Sequence, residues 1–206
     1  MLGAGSVAGA RHVDPEHAAA VAGLDGQRTF RASAAEARGR LRALPAVRDA
    51  RVEVDALGDW RVLLVEREAA GRWVVGGVEW FVDADGTLFA SRDATAAPAL
   101  RVRDGSVARR AAGDRVERAT VAAALRLAAL APGELRADMA RPSVRIDTGA
   151  NGIVLESGAR WEIRFGTAER FDEKLLVART FLKNEPTRPL DYVDVTSPER
   201  IVFSPR

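Results

Sequence analysis

Two aspartates close an apolar run in Trp80-Phe81-Val82-Asp83-Ala84-Asp85-Gly86-Thr87-Leu88. Two carboxylates together with Mg²⁺ can support phosphoryl transfer. The same residues also spell a β-hairpin, because Asp-Gly between apolar runs is a strong turn signal. More than eighty residues precede the pair and strand-rich sequence follows it, which favours the hairpin. As exposed turn residues they tolerate change, so Asp83→Asn is expected to alter stability by under about 1 kcal/mol. Elsewhere the chemistry is sparser. Gly3-Ala-Gly5-Ser-Val-Ala-Gly9 has glycines like a dinucleotide loop, but no strand precedes it and the spacing is wrong. His12 and His17 stand five apart and do not share a helical face, so they read as structural or solvent-exposed.

The Asp83/Asp85 phrase resembles the nucleophile motif of haloacid-dehalogenase-type phosphatases, where it opens an α/β core. Lys174, Asp191 and Asp194 would then be cast as the remaining Lys and acids. Their surroundings do not read as alternating βα units. A Mg²⁺-dependent phosphatase using Asp83 and Asp85 is therefore the alternative function.

The positioning elements follow from composition and periodicity. With 47% apolar and 29% charged residues, 206 residues can bury a core, which excludes wholesale disorder and collagen. The net charge is only +2, so the sequence pI of 9.6 implies no nucleic-acid stripe. All basic residues except Lys174 and Lys183 are Arg, a bias expected of a GC-rich genome. Without Cys there are no disulfides or thiolate sites. No stretch reaches the apolar length of about 18 residues that marks a membrane span, and no signal peptide is visible.

Asp14-Pro15-Glu16 starts a helix that carries Ala18, Val21 and Ala22 inward and stops near Gly23. Ser33 to Glu36 forms a capping box for a second helix with Ala37, Leu41 and Leu44 inward, ended by Pro45. Val47 to Asp55 and Trp60 to Glu66 alternate as strands around a Gly58-Asp59 turn. With an initial strand at Gly5 to Ala10, the order is β-α-α-β-β. Beyond Ala69, Arg72 to Val75, Glu79 to Val82 and Thr87 to Ala90 read as short strands, and residues 91 to 113 mostly as loop. Asp114 is expected to cap a helix reaching Ala131, before Pro132-Gly133. Strands follow at Val144/Ile146, Ile153/Leu155 and Trp161/Ile163/Phe165. Phe171, Leu175, Ala178 and Leu182 mark a final helix, and strands at Tyr192 to Val195 and Ile201 to Phe203 come last.

Several phrases, in order, resemble the extracytoplasmic part of the FtsQ/DivIB family of bacterial cell-division proteins. They are Val7-Ala-Gly9-Ala10, Val13-Asp14 through Leu24, Thr29-Phe30-Arg31 and Leu41-Arg-Ala-Leu44-Pro45-Ala-Val47 through Val52. Val65-Glu66-Arg67-Glu68, Arg72-Trp73, the Val82 to Phe89 hairpin, Phe165-Gly166, the helix from Phe171, and Tyr192 to Val195 with Arg200 to Phe203 continue the series. The resemblance implies an α+β fold. A POTRA module (βααββ) over residues 1–68 precedes a mostly antiparallel β-domain with flanking helices over residues 69–206. It implies a scaffold that is not an enzyme, needs no cofactor or metal and binds no nucleic acid. Its expected partners are FtsB/DivIC-like and FtsL-like membrane proteins, taken up by β-augmentation at the end of the β-domain. The matching partner-binding positions are Tyr192, Val193, Asp194, Val195, Thr196, Ile201, Val202 and Phe203. The family sits in the inner (cytoplasmic) membrane by a single span, with this part on the extracytoplasmic side, so the chain reads as a fragment or a mis-assigned start. A POTRA module of an outer-membrane or secretion assembly is a third reading, disfavoured by the β-rich second half.

Overall fold

The structure, a computed structural model, describes residues 5–26, 33–93, 95, 97–106, 109–139 and 142–206. Gly3 of the glycine run and the Thr29-Phe30-Arg31 phrase lie outside those residues. The first five elements are β1 (Gly5–Ala8), α1 (Pro15–Ala22), α2 (Ala34–Arg42), β2 (Val47–Val54) and β3 (Trp60–Glu66). They form the expected βααββ unit, a three-stranded sheet ordered β1-β3-β2 with β1 parallel and β2 antiparallel to β3. Part of the glycine run is thus strand, not a phosphate cradle.

Local chemistry explains the helix ends. The Asp14 carboxylate accepts from the amides of Glu16 at 2.8 Å and His17 at 3.2 Å, and Pro15 needs no donor in the first turn. Gly23 ends α1 at φ 60°, a left-handed conformation costly for any residue with a Cβ. Ser33 Oγ accepts from the Glu36 amide at 3.2 Å. Ala18, Ala22, Ala37 and Leu41 pack against Val47, Ala50, Val62 and Leu64 of the sheet, while Val21 and Leu44 are only half-buried.

The other strands form one nine-stranded sheet ordered β12-β11-β10-β9-β8-β7-β4-β5-β6. They are β4 (Gly71–Val75), β5 (Val78–Val82), β6 (Leu88–Phe89), β7 (Arg101–Asp104), β8 (Ser143–Ile146), β9 (Ile153–Glu156), β10 (Glu162–Gly166), β11 (Leu190–Ser197) and β12 (Arg200–Pro205). Pairing is mostly antiparallel, with parallel contacts at β4–β7, β7–β8 and β10–β11. Helices α3 (Arg118–Ala128) and α4 (Phe171–Asn184) cover the face carrying Trp73, Val102, Val144, Leu155, Ile163 and Val193. Over β7 to β10 the opposite face is mostly polar, whereas at β5 and β6 it carries the buried Phe81 and Phe89. On the polar part Arg145 donates to Asp147 (2.7 Å), Glu156 (3.1 Å) and Glu162 (2.6 Å).

One expectation is refined and another corrected. Among the described residues, 91–113 are mostly loop as expected, but they include β7, which lies mid-sheet between β4 and β8. Its sequence, Arg-Val-Arg-Asp, offers one fully buried side chain, Val102, so its pattern is too short to stand out. Helix α3 starts at Arg118 rather than beside Asp114 and ends at Ala128. The Asp114 carboxylate accepts from the Ala111 amide at 2.9 Å, closing a turn instead of capping the helix. The residues released from the helix run as a strap along β6. Leu88 N–H donates to Asp114 O (2.8 Å), Gly113 N–H to Leu88 O (2.7 Å) and Val116 N–H to Gly86 O (2.9 Å). Gly86 is obligatory there. At φ 85°, a Cβ on it would stand 2.1 Å from Val116 O.

Candidate partner-binding edge

The last two strands form a hairpin on the margin of the large sheet. Val193 and Val195 of β11 are fully buried beneath α4, whereas Tyr192, Asp194 and Thr196 alternate onto the polar face. β11 itself is interior. It pairs in parallel with β10 and antiparallel with β12, so Tyr192 to Thr196 have sheet neighbours on both sides. Among the described residues, β12 has no strand on its far side. The eight expected partner-binding residues therefore divide: five in an interior strand, and Ile201, Val202 and Phe203 on an edge.

The edge has two unlike faces. On the helix side, Phe203 lies 5.2 Å from the Phe181 ring of α4, with the Arg188 guanidinium 4.5 Å from its own ring centroid. Ile201 is half-buried against the same core. On the polar side Val202, 39% exposed, stands opposite Asp194. Nearby, the Arg164 guanidinium lies 3.9 Å above the Tyr192 ring and donates to Glu162 at 2.8 Å. The Asp194 carboxylate accepts from Thr196 N–H (2.9 Å) and Thr196 Oγ1–H (2.7 Å). Register shifts flank Tyr192 to Asp194, as where a bulge twists an edge.

Two clamps hold this hairpin. Arg170, itself left-handed at φ 51°, donates to Glu173 in the first turn of α4 and to Glu199 in the β11–β12 turn. Its guanidinium holds both carboxyls below the usual range. The second clamp grips the segment leading into β11. Arg136, with its side chain 4% exposed, donates to Arg188 O at 3.1 Å, stacks 4.3 Å from the Trp161 ring and pairs bidentately with Asp138 at 2.7 Å. Trp161 Nε1–H also donates to Asp138, at 3.0 Å.

The hydrogen-bonded Arg136 guanidinium is the main cause that holds the Asp138 carboxyl below its ordinary value. A depressed carboxyl stabilises the fold above its unfolded pKa, and that contribution is lost as pH falls through the folded value, here below about pH 4. Asp138→Asn is expected to lose less thermal stability than the parent between about pH 5 and pH 3. Parallel melting curves across that range, with equal slopes, would remove the assignment.

The two aspartates of the alternative reading are placed differently. Asp83 is not an exposed turn residue. It is buried, and one carboxylate oxygen accepts from the Thr87 (2.8 Å) and Asp85 (3.0 Å) amides. The other oxygen takes Arg67 Nη1–H at 2.7 Å, and Arg67 Nε–H donates to Pro45 O at 2.8 Å. Its visible contacts stabilise the hairpin and its junction with the first sheet. Asp85 is exposed, 3.7 Å from Arg118. Lys174, on α4, donates to Thr167 O at 2.9 Å, and its ammonium is lowered chiefly by burial. Among the described residues, no three His, Asp or Glu side chains gather where they could hold a metal.

Composition and spacing gave no sign that Glu66 would gather three successive amides. Arg11 (2.9 Å), His12 (2.7 Å) and Val13 (2.8 Å) all donate to its carboxylate. Glu66-Arg67 was legible only as part of a family phrase, and its partners lie far apart in sequence.

The chain is 27% identical over 190 residues to Cell division protein FtsQ of Chloroflexus aurantiacus, an alignment covering 92% of this chain and 68% of that protein. No family model matches it. The similarity over nearly the whole chain supports an FtsQ/DivIB-like assignment, in line with the α+β architecture of a POTRA-like unit followed by a β-rich sheet.

Proposed function

We propose that this FtsQ/DivIB-like chain acts in bacterial cell division as a non-enzymatic scaffold that holds other membrane division proteins along β12. The observation that carries this reading is the contrast between the two margins of the large sheet. β6 is strapped by residues 113–116, whereas β12 is uncovered among the described strands. An uncovered edge strand turns alternate backbone N–H and C=O groups outward, and an extended partner segment can pair with them. Ile201 and Phe203 would meet the partner's apolar side chains, with Val202 and Ser204 on the other face. Tyr192 to Thr196, one strand in, would shape that surface without pairing to it.

The similarity to a protein named for cell division supports the general role. In this reading the partners are FtsB/DivIC-like and FtsL-like proteins. The chain works on the extracytoplasmic side of the inner membrane, held by a span outside it. No helix among the described residues is long and apolar enough to cross a membrane. We take residues 1–68 and 69–206 as the scaffold's two units, a division supported by two separate apolar cores.

Proline tests the edge, because it removes one backbone donor. Val202→Pro and Phe203→Pro sample the two hydrogen-bonding directions of β12. The substitution whose amide faces outward is expected to weaken capture of FtsB/DivIC-like and FtsL-like partners about tenfold, with little change in thermal midpoint. The other is expected to lower the midpoint. Undiminished capture by both folded variants would refute binding at this edge.

A further inference from the structure

The two apolar cores share one exception. Phe81 of β5 and Phe89 of β6 belong to the large sheet by hydrogen bonding, yet they are buried in the core of the small one. Beside both rings lies His12 of the small unit, itself 9% exposed. Its ring meets Phe81 edge-on at 5.9 Å and Phe89 at 5.3 Å, and the two phenyl rings lie 5.8 Å apart at 80°. The three rings form one edge-to-face cluster, a preferred aromatic geometry.

The polar end of His12 is tied as firmly as its ring. Nδ1 is 2.8 Å from Ser91 Oγ, in the segment following β6, and its carbonyl accepts from Arg92 N–H at 3.1 Å. Its own amide is one of the three gathered by Glu66 at the end of β3. One residue is thus bonded to the small sheet through its amide N–H, and to β5, β6 and the segment after β6 through its ring, imidazole nitrogen and carbonyl. A phenyl ring could fill the aromatic slot but could not reach Ser91 as a hydrogen-bond partner. The junction is short as well: β3 ends at Glu66 and β4 begins at Gly71.

We propose that His12 is a latch that sets the angle between the small and large sheets. Units joined within one chain move relative to each other unless their interface is large and apolar. Here the cluster of His12, Phe81 and Phe89 supplies the apolar part, and Ser91 keys it to a single orientation. The latch holds β2, the margin of the small sheet, at a fixed distance from the β11–β12 margin of the large one. That consequence does not depend on what either margin binds.

The chain has no Cys, so two introduced cysteines take spin labels cleanly. Arg48→Cys on β2 and Leu176→Cys on α4 are exposed positions in regular elements, one in each unit. Pulsed electron–electron distance measurement on the doubly labelled full chain is expected to give one narrow distribution. His12→Ala is expected to broaden it or shift its centre, and His12→Phe and Ser91→Ala to broaden it less. A folded His12→Ala chain with an unchanged narrow distribution would overturn the latch. If His12→Ala does not fold, Ser91→Ala decides: an unchanged distribution there overturns the proposal equally.

Discussion

Asp83→Ala is expected to lower the unfolding free energy by about 3–5 kcal/mol, the loss typical of breaking a buried ion pair from one side. Arg67 and Asp83 meet at 2.7 Å with side chains only 17% and 9% exposed, so little solvent replaces a missing partner. The substitution strands the Arg67 guanidinium and also removes the acceptor of the buried Thr87 amide. Asp83→Asn keeps an oxygen for the two turn amides but sets a neutral amide against the guanidinium. Its loss is expected to be smaller, yet above the roughly 1 kcal/mol of an exposed turn residue. Replacing both Arg67 and Asp83 by apolar residues should recover the part of the loss due to the stranded guanidinium, but not the part due to the Thr87 and Asp85 amides left without an acceptor. Urea unfolding followed by tryptophan fluorescence measures all three. An Asp83→Ala chain within about 1 kcal/mol of the parent would show the pair to be incidental.

Leu41→Ala is expected to cost about 2–5 kcal/mol, the range for emptying a fully buried leucine site. Leu41 is 0% exposed and belongs to the core formed by α1, α2 and the small sheet, with Ala37 one turn earlier on the same face. Alanine there removes the side chain that binds α2 to the strands, and small neighbours such as Ala18, Ala22 and Ala50 cannot reach in to fill the space. Leu57 is the control. It is 90% exposed at the β2–β3 turn, so Leu57→Ala is expected to stay within about 0.5 kcal/mol of the parent. Equal losses at the two leucines would contradict the burial that distinguishes them.

The sequence alone determined the elements whose causes are local. Asp14 and Gly23 bound α1 because a cap and a left-handed residue act within one turn. Alternation of Val193 and Val195 with Tyr192, Asp194 and Thr196 marked β11 because side chains on a strand change face at every residue. The family phrases likewise run in order along nearly the whole chain, so the resemblance they carry rests on no tertiary contact. What only the tertiary structure decided depends on partners distant in sequence. β7 exists because β4 and β8 supply ladders on both sides of a segment with one buried valine. Asp83 became a buried anchor because Arg67, itself tied to Pro45 O, comes to meet it. β12 rather than β11 became the edge because β10 pairs with β11 in parallel across the whole of α4. Local patterns are set by bonds that each residue carries with it; edges, buried charges and ring clusters are set by which surfaces the folded chain brings together, and no window of sequence contains both sides of such a contact.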